Sequence, residues 1–108
     1  MLIDTHAHIY YEDYTQRIDD VIQSALDNGV EKIITVGVDL ESSEECLKLA
    51  EEYPSIYATC GYHPHEAVKA PNRYLYELEE MAAHPKVVAI GEMGLDYHYN
   101  ISDPKIQQ

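Results

Sequence analysis

Two histidines, His6 and His8, stand two positions apart at the end of a short apolar run that begins at Leu2. On an extended strand, residues two apart point to the same face. Two imidazoles would then sit side by side, and neutral imidazole is a common ligand for divalent metals. The same pair would equally suit strand-end residues bonded to backbone. Glu92 follows a second apolar run and lies between Gly91 and Gly94. Glycine permits close backbone approach and a turn at a strand end. A carboxylate there has two oxygens with which to bridge a pair of cations; a solvated loop glutamate is the plain alternative. His63-Pro64-His65 follows Gly61. Its rings could ligate a metal or contact a phosphate, since an imidazolium donates from both nitrogens, or they could decorate a surface turn. Asp96 and Tyr97 either orient a ligand or cap the last loop. Asp4 is either a carboxylate fixing a histidine tautomer or an ordinary strand-end residue. His84 and His98 read as structural or exposed.

These residues need a scaffold, and hydrophobic patterning supplies one. Strand one covers Leu2 to Asp4 and can extend to the histidines. A Tyr-rich loop follows, and Thr15 can cap a helix in which Ile18, Val21, Ile22, Ala25 and Leu26 form one apolar stripe. Gly29 stops it. Residues 32–38 are nearly all apolar and β-branched, as in a parallel strand covered on both faces. Asp39 or Ser42 starts the next helix, whose buried side is Cys46, Leu47, Leu49, Ala50 and Tyr53, and Pro54 ends it. Strand three is 56–61. A third helix spans about Asn72 to Ala83, with Tyr74, Leu75, Leu78, Met81 and Ala82 available to the core. Strand four is 87–90, and the tail from His98 to Gln108 has no convincing period. The β-α-β-α-β-α-β order predicts an α/β fold with parallel strands and right-handed crossovers. Ligands in such folds gather beyond the carboxyl ends of the strands, where His6, His8, Asp39, His63, His65 and Glu92 all fall.

Composition narrows the function. The 108 residues suit one domain, and a net charge of −13 argues against non-specific attraction to nucleic acid or anionic membrane. It leaves a phosphate substrate open, because a bound divalent cation can dominate the local field. Ten tyrosines replace all phenylalanine and tryptophan, favouring half-buried aromatic positions. Cys46 and Cys60 lack a C-x-x-C spacing and read as reduced thiols. With no apolar stretch of membrane-spanning length and no secretion signal, the expected location is the cytoplasm. No phosphate-binding glycine loop, nucleophile elbow or cysteine–histidine dyad is present.

Taken together, Ile3-Asp4-Thr5-His6-Ala7-His8, Gly61-Tyr62-His63-Pro64-His65 and the 90–97 segment IGEMGLDY resemble three signature segments of the TatD family of metal-dependent hydrolases, in the amidohydrolase superfamily. The resemblance implies a TIM-type (β/α)₈ barrel of about 250 residues, of which residues 1–108 would form a single partial domain: the first half, about four β/α units with helices outside. It implies two-metal hydrolysis of phosphodiesters at DNA ends with two divalent cations, Mg²⁺, Mn²⁺ or Zn²⁺. His6 and His8 then resemble metal ligands, Glu92 the catalytic carboxylate shared by both metals, and His63 and His65 the substrate-facing loop. The family's remaining ligands lie on later strands. Three outcomes therefore stay open: a deoxyribonuclease, a superfamily hydrolase of amides, esters or lactones, and an inactive fragment with a partial metal site. A half barrel also exposes two strand edges, which predicts self-association.

Overall fold

A computed structural model describes residues 1–10, 17–70, 73–96, 98–99 and 101–107. Four strands form one sheet in the order β1–β2–β3–β4, with β1 at Leu2–Ala7, β2 at Val30–Val36, β3 at Ile56–Cys60 and β4 at Val87–Ile90. Every pairing is parallel. Helices α1 (Ile18–Asp27), α2 (Leu40–Glu52) and α3 (Tyr74–Ala82) occupy the three crossovers. A 3₁₀ segment, Pro64–Lys69, follows β3, and a short α4, Pro104–Gln107, lies in the tail. Strands adjacent in sequence are adjacent in space, so right-handed crossovers put all three helices on one side.

That side holds the core. Strand alternation gives Ile33 and Thr35 of β2 and Ile56, Ala58 and Cys60 of β3 a common face, and all five are buried. Ile22 of α1 and Cys46 and Ala50 of α2 pack onto Ile33, Ile56 and Ala58, together with Ile9 and Tyr10 just past β1. Leu78 and Met81 of α3 cover Cys60. Full burial of a side chain such as Ile56 contributes about 1.5–3 kcal/mol. The opposite face is poorly covered: Ile34 and Tyr57 are half-buried, and Val88 and Ile90 are exposed.

Several elements differ from the sequence expectation for physical reasons. β1 runs on to Ala7, carrying His6 on the strand itself. β2 starts and stops two residues early. Gly29, at φ 86°, turns the chain so sharply that Val30 already pairs with Leu2, and Gly37 abuts α2, where a Cβ would collide with Ser43. Asp39 and Ser42 both start α2, as a reciprocal cap: Ser42 N–H donates to Asp39 Oδ1 at 2.8 Å and Asp39 N–H to Ser42 Oγ at 3.1 Å. Leu75 and Leu26, expected in the core, are exposed. The tail is not featureless, since it forms α4 and buries Ser102. Thr15, Asn72 and Tyr97 lie outside the described residues.

Candidate metal centre

The carboxyl ends of β1, β3 and β4 converge on Glu92. His6 Nε2 lies 2.9 Å from Glu92 Oε2, His8 Nε2 3.9 Å from the same oxygen, and His63 Nε2 3.6 Å from Oε1. Two glycines make this possible. A Cβ on Gly61 would run into the carbonyl oxygen of Gly91, while Gly91 N–H donates to Cys60 O at 3.0 Å. The ends of β3 and β4 therefore lie close enough for His63 and Glu92 to meet. Glu92 itself is at φ 51°, in the left-handed region that non-glycine residues rarely adopt. Such strain costs about 1–3 kcal/mol and clusters at functional sites.

Hydrogen-bond partners fix the role of each ring. His8 Nδ1 is 3.1 Å from Val36 O and 3.0 Å from the Tyr10 hydroxyl. A carbonyl only accepts, so Nδ1 carries the proton and the Nε2 lone pair faces Glu92. His63 is the reverse. Its Nδ1 accepts from His65 N–H at 3.1 Å, leaving Nε2–H to point into the site as a donor. His8 thus turns a lone pair toward Glu92, and His63 turns an N–H donor toward it. His65 Nε2 donates to Asp96 Oδ2. That bond, with backbone N–H groups of Tyr99 and His98, holds the Asp96 carboxyl below its ordinary value.

The donor set fits a divalent cation. Glu92 Oε2 is buried and accepts no directed hydrogen bond among the described residues, although His6 Nε2 is close. An uncompensated buried carboxylate oxygen is costly, and a cation would offset that cost. The ligand atoms of His6, His8 and Glu92 all lie within 4.8 Å of one another. Metal–ligand bonds of about 2.0–2.2 Å let atoms roughly 4 Å apart share one ion. Beside them is a recess of about 250 Å³ lined by His8, Val38, His63, His65, Glu66 and Glu92.

The remaining polar residues take no part in this cluster. The Asp4 carboxylate accepts His6 backbone N–H at 3.0 Å, so it fixes the strand end and not a ring tautomer. Asp39 is a helix cap. His84 pairs with Glu51 at 3.1 Å, and His98 is exposed. Burial pushes the Cys46 thiol up to about 12 and raises Cys60, so neither offers a thiolate. Sequence reasoning missed Tyr10, Ser102 and Gln107. Tyr10 had a signal: it continues the two-residue spacing of His6 and His8.

A family model described as TatD related DNase matches residues 3–108. An uncharacterized metal-dependent hydrolase, YabD of Bacillus subtilis, is 44% identical over the whole chain, which spans 42% of that relative. The 3'-5' ssDNA/RNA exonuclease TatD of Escherichia coli K12 is 36% identical over 99% of the chain and 41% of its own length. Among solved structures, the TatD homologue YJJV of Escherichia coli superposes with a TM-score of 0.88 at 34% identity, over 99% of this chain and 42% of that one. A TatD family hydrolase of Entamoeba histolytica gives 0.85 at 30% identity, over 98% and 42%. The four parallel strands with their crossover helices match the first half of such a barrel.

Proposed function

The chain belongs to the TatD family, and on that premise we propose that residues 1–108, as one partial domain, supply the two-histidine, one-carboxylate part of a two-metal centre that hydrolyses phosphodiesters at DNA ends. The observation that carries this reading is Glu92 Oε2, buried without a hydrogen bond beside two imidazole nitrogens. A divalent cation, Mg²⁺, Mn²⁺ or Zn²⁺, would supply water activation and charge neutralisation there. His6 and His8 would give it lone pairs, and the two carboxylate oxygens of Glu92 would allow sharing between two ions. His63 Nε2–H would donate to a phosphoryl oxygen, orienting the substrate in the recess. His65, backed by Asp96, faces the same recess. A chain of net charge −13 would hold DNA by its end at the cations and not along a basic groove. Buried free thiols suit a cytoplasmic setting; among the described residues no helix is long and apolar enough to cross a membrane.

The test is Mn²⁺ or Mg²⁺ with end-labelled single-stranded DNA. Metal-dependent shortening from one end, lost on His8→Ala or Glu92→Gln, supports the reading. Metal binding by calorimetry with no turnover supports the second reading, a cation-binding but inactive segment. That alternative is favoured by one fact: the chain spans only 41–42% of its curated relatives.

A further inference from the structure

The tail folds back onto both loops that carry the His65–Asp96 pair. Gln107 Oε1 accepts Asp96 N–H at 2.6 Å, while Gln107 Nε2 donates to Asp96 O at 2.9 Å and to Ser102 O at 2.7 Å. One side-chain amide therefore satisfies both backbone groups of Asp96, as a neighbouring strand would. This requires a donor and an acceptor on one planar group, which the Gln side-chain amide offers at neutral charge. Ser102, 1% exposed, does the same at the other loop. Its hydroxyl donates to His65 O at 3.0 Å and accepts Val68 N–H at 3.3 Å. A buried polar group with every bond made is rigid and specific. The two loops are thus joined twice, once by the His65–Asp96 pair and once by the Ser102–Gln107 bridge, in a closed ring.

We infer that Ser102 and Gln107 are positioning residues, a clasp that sets the His65–Asp96 pair by its backbone so that the His65 ring stays turned toward the recess. The role in substrate handling rests on the nuclease reading; the clasp itself does not. Neither residue touches the metal ligands. Gln107→Met keeps length and apolar stem but removes all three amide bonds. Gln107→Glu keeps the acceptor for Asp96 N–H and loses the two donors.

The test is imidazole proton and nitrogen NMR on the full chain, comparing Gln107→Met, Gln107→Glu and Ser102→Ala. In the unaltered chain the His65 Nε2–H held by Asp96 should give a slowly exchanging downfield signal. It should broaden or vanish in Gln107→Met and Ser102→Ala and weaken partly in Gln107→Glu. The His8 Nδ1–H signal, held by Val36, should stay in place and reports that the sheet is intact. With Mn²⁺ and single-stranded DNA, KM should rise about ten-fold in Gln107→Met, the scale on which lost orienting partners act, with kcat changed less. An unaltered His65 signal in the variants would overturn the clasp. So would joint loss of the His65 and His8 signals, since the bridge would then hold the fold and not the pair. The imidazole readout decides the clasp whether or not DNA is cleaved, which separates its failure from failure of the nuclease reading.

Discussion

At the scale of single residues, the site works through proton placement. His8 offers its Nε2 because Val36 O and the Tyr10 hydroxyl occupy Nδ1. Orienting partners of ligating histidines typically govern metal affinity by about 10–100-fold. Tyr10→Phe should therefore weaken Mn²⁺ or Zn²⁺ binding by about ten-fold in calorimetry; an unchanged Kd would show that Val36 suffices. Asp96 stabilises the fold in its ionised form. Its folded carboxyl titrates below the ordinary value of 3.8 because His65 and two backbone N–H groups bond its ionised form. Its contribution to stability is complete above the unfolded value and is lost as pH falls through the lower folded value. Asp96→Asn should thus flatten the acid limb of the stability curve below about pH 4, measured by urea unfolding at stepped pH, and a curve parallel to the parent would contradict this. The thiols make a negative prediction. With Cys46 pushed up to about 12 and both sulfurs buried, an aromatic disulfide reagent at pH 8 should react only after denaturant is added.

At the scale of elements, the ends of strands and helices decide what the site can be. α2 begins with the reciprocal Asp39–Ser42 cap, so Asp39→Ala should cost about 1 kcal/mol without altering metal binding, read as a shift in urea midpoint at constant slope. Much of this level was legible from residue order. The strands, the α1 stripe and the Gly29 stop follow from period and turn chemistry, and β4 falls on the expected 87–90 because its four apolar residues are bracketed by His84-Pro85 and Gly91. That His6, His8 and Glu92 would meet was legible as well, since parallel topology brings strand ends together; which role each would take came only from the family resemblance. The tail was not. Ser102 and Gln107 act through side-chain bonds to backbone more than thirty and about ten residues away in the chain, which leave no periodicity to read. Asp4 stayed open between two roles for a related reason: a carboxylate two residues before a histidine can reach either its ring or its backbone N–H, and composition does not distinguish them. The strain at Glu92 was only hinted at by its flanking glycines.

At the scale of the whole molecule, the described residues form a sheet with two open edges. Among the described residues, β1 pairs only with β2, and β4 only with β3. Leu2 and Ile3 on one edge, and Val88 and Ile90 on the other, are exposed apolar side chains. In a closed barrel such edges pair and disappear, and the solved TatD chains extend well beyond the part this chain matches. A protein of just these 108 residues has the same edges and must satisfy them otherwise. Parallel edges of opposite hand, β4 on one copy and β1 on the next, can hydrogen-bond between molecules, and apolar contact adds to that attraction. The net charge of −13 opposes it. That repulsion is screened over about 10 Å at 0.1 M salt and about 3 Å at 1 M, whereas the apolar term is not weakened by salt. Self-association should therefore grow with ionic strength, the reverse of an interface held by ion pairs. Sedimentation velocity across 0.05–1 M NaCl checks this at about 10–100 μM protein, a range where weak strand-edge contacts are populated. Val88→Lys with Ile90→Lys places charge on the β4 edge, a device natural sheets use against edge pairing, and should shift the boundary toward monomer at every salt. A single monomeric boundary for the unaltered chain at 1 M salt, together with one cooperative thermal transition, would mean that these four strands close their own edges in a way the sheet order does not show.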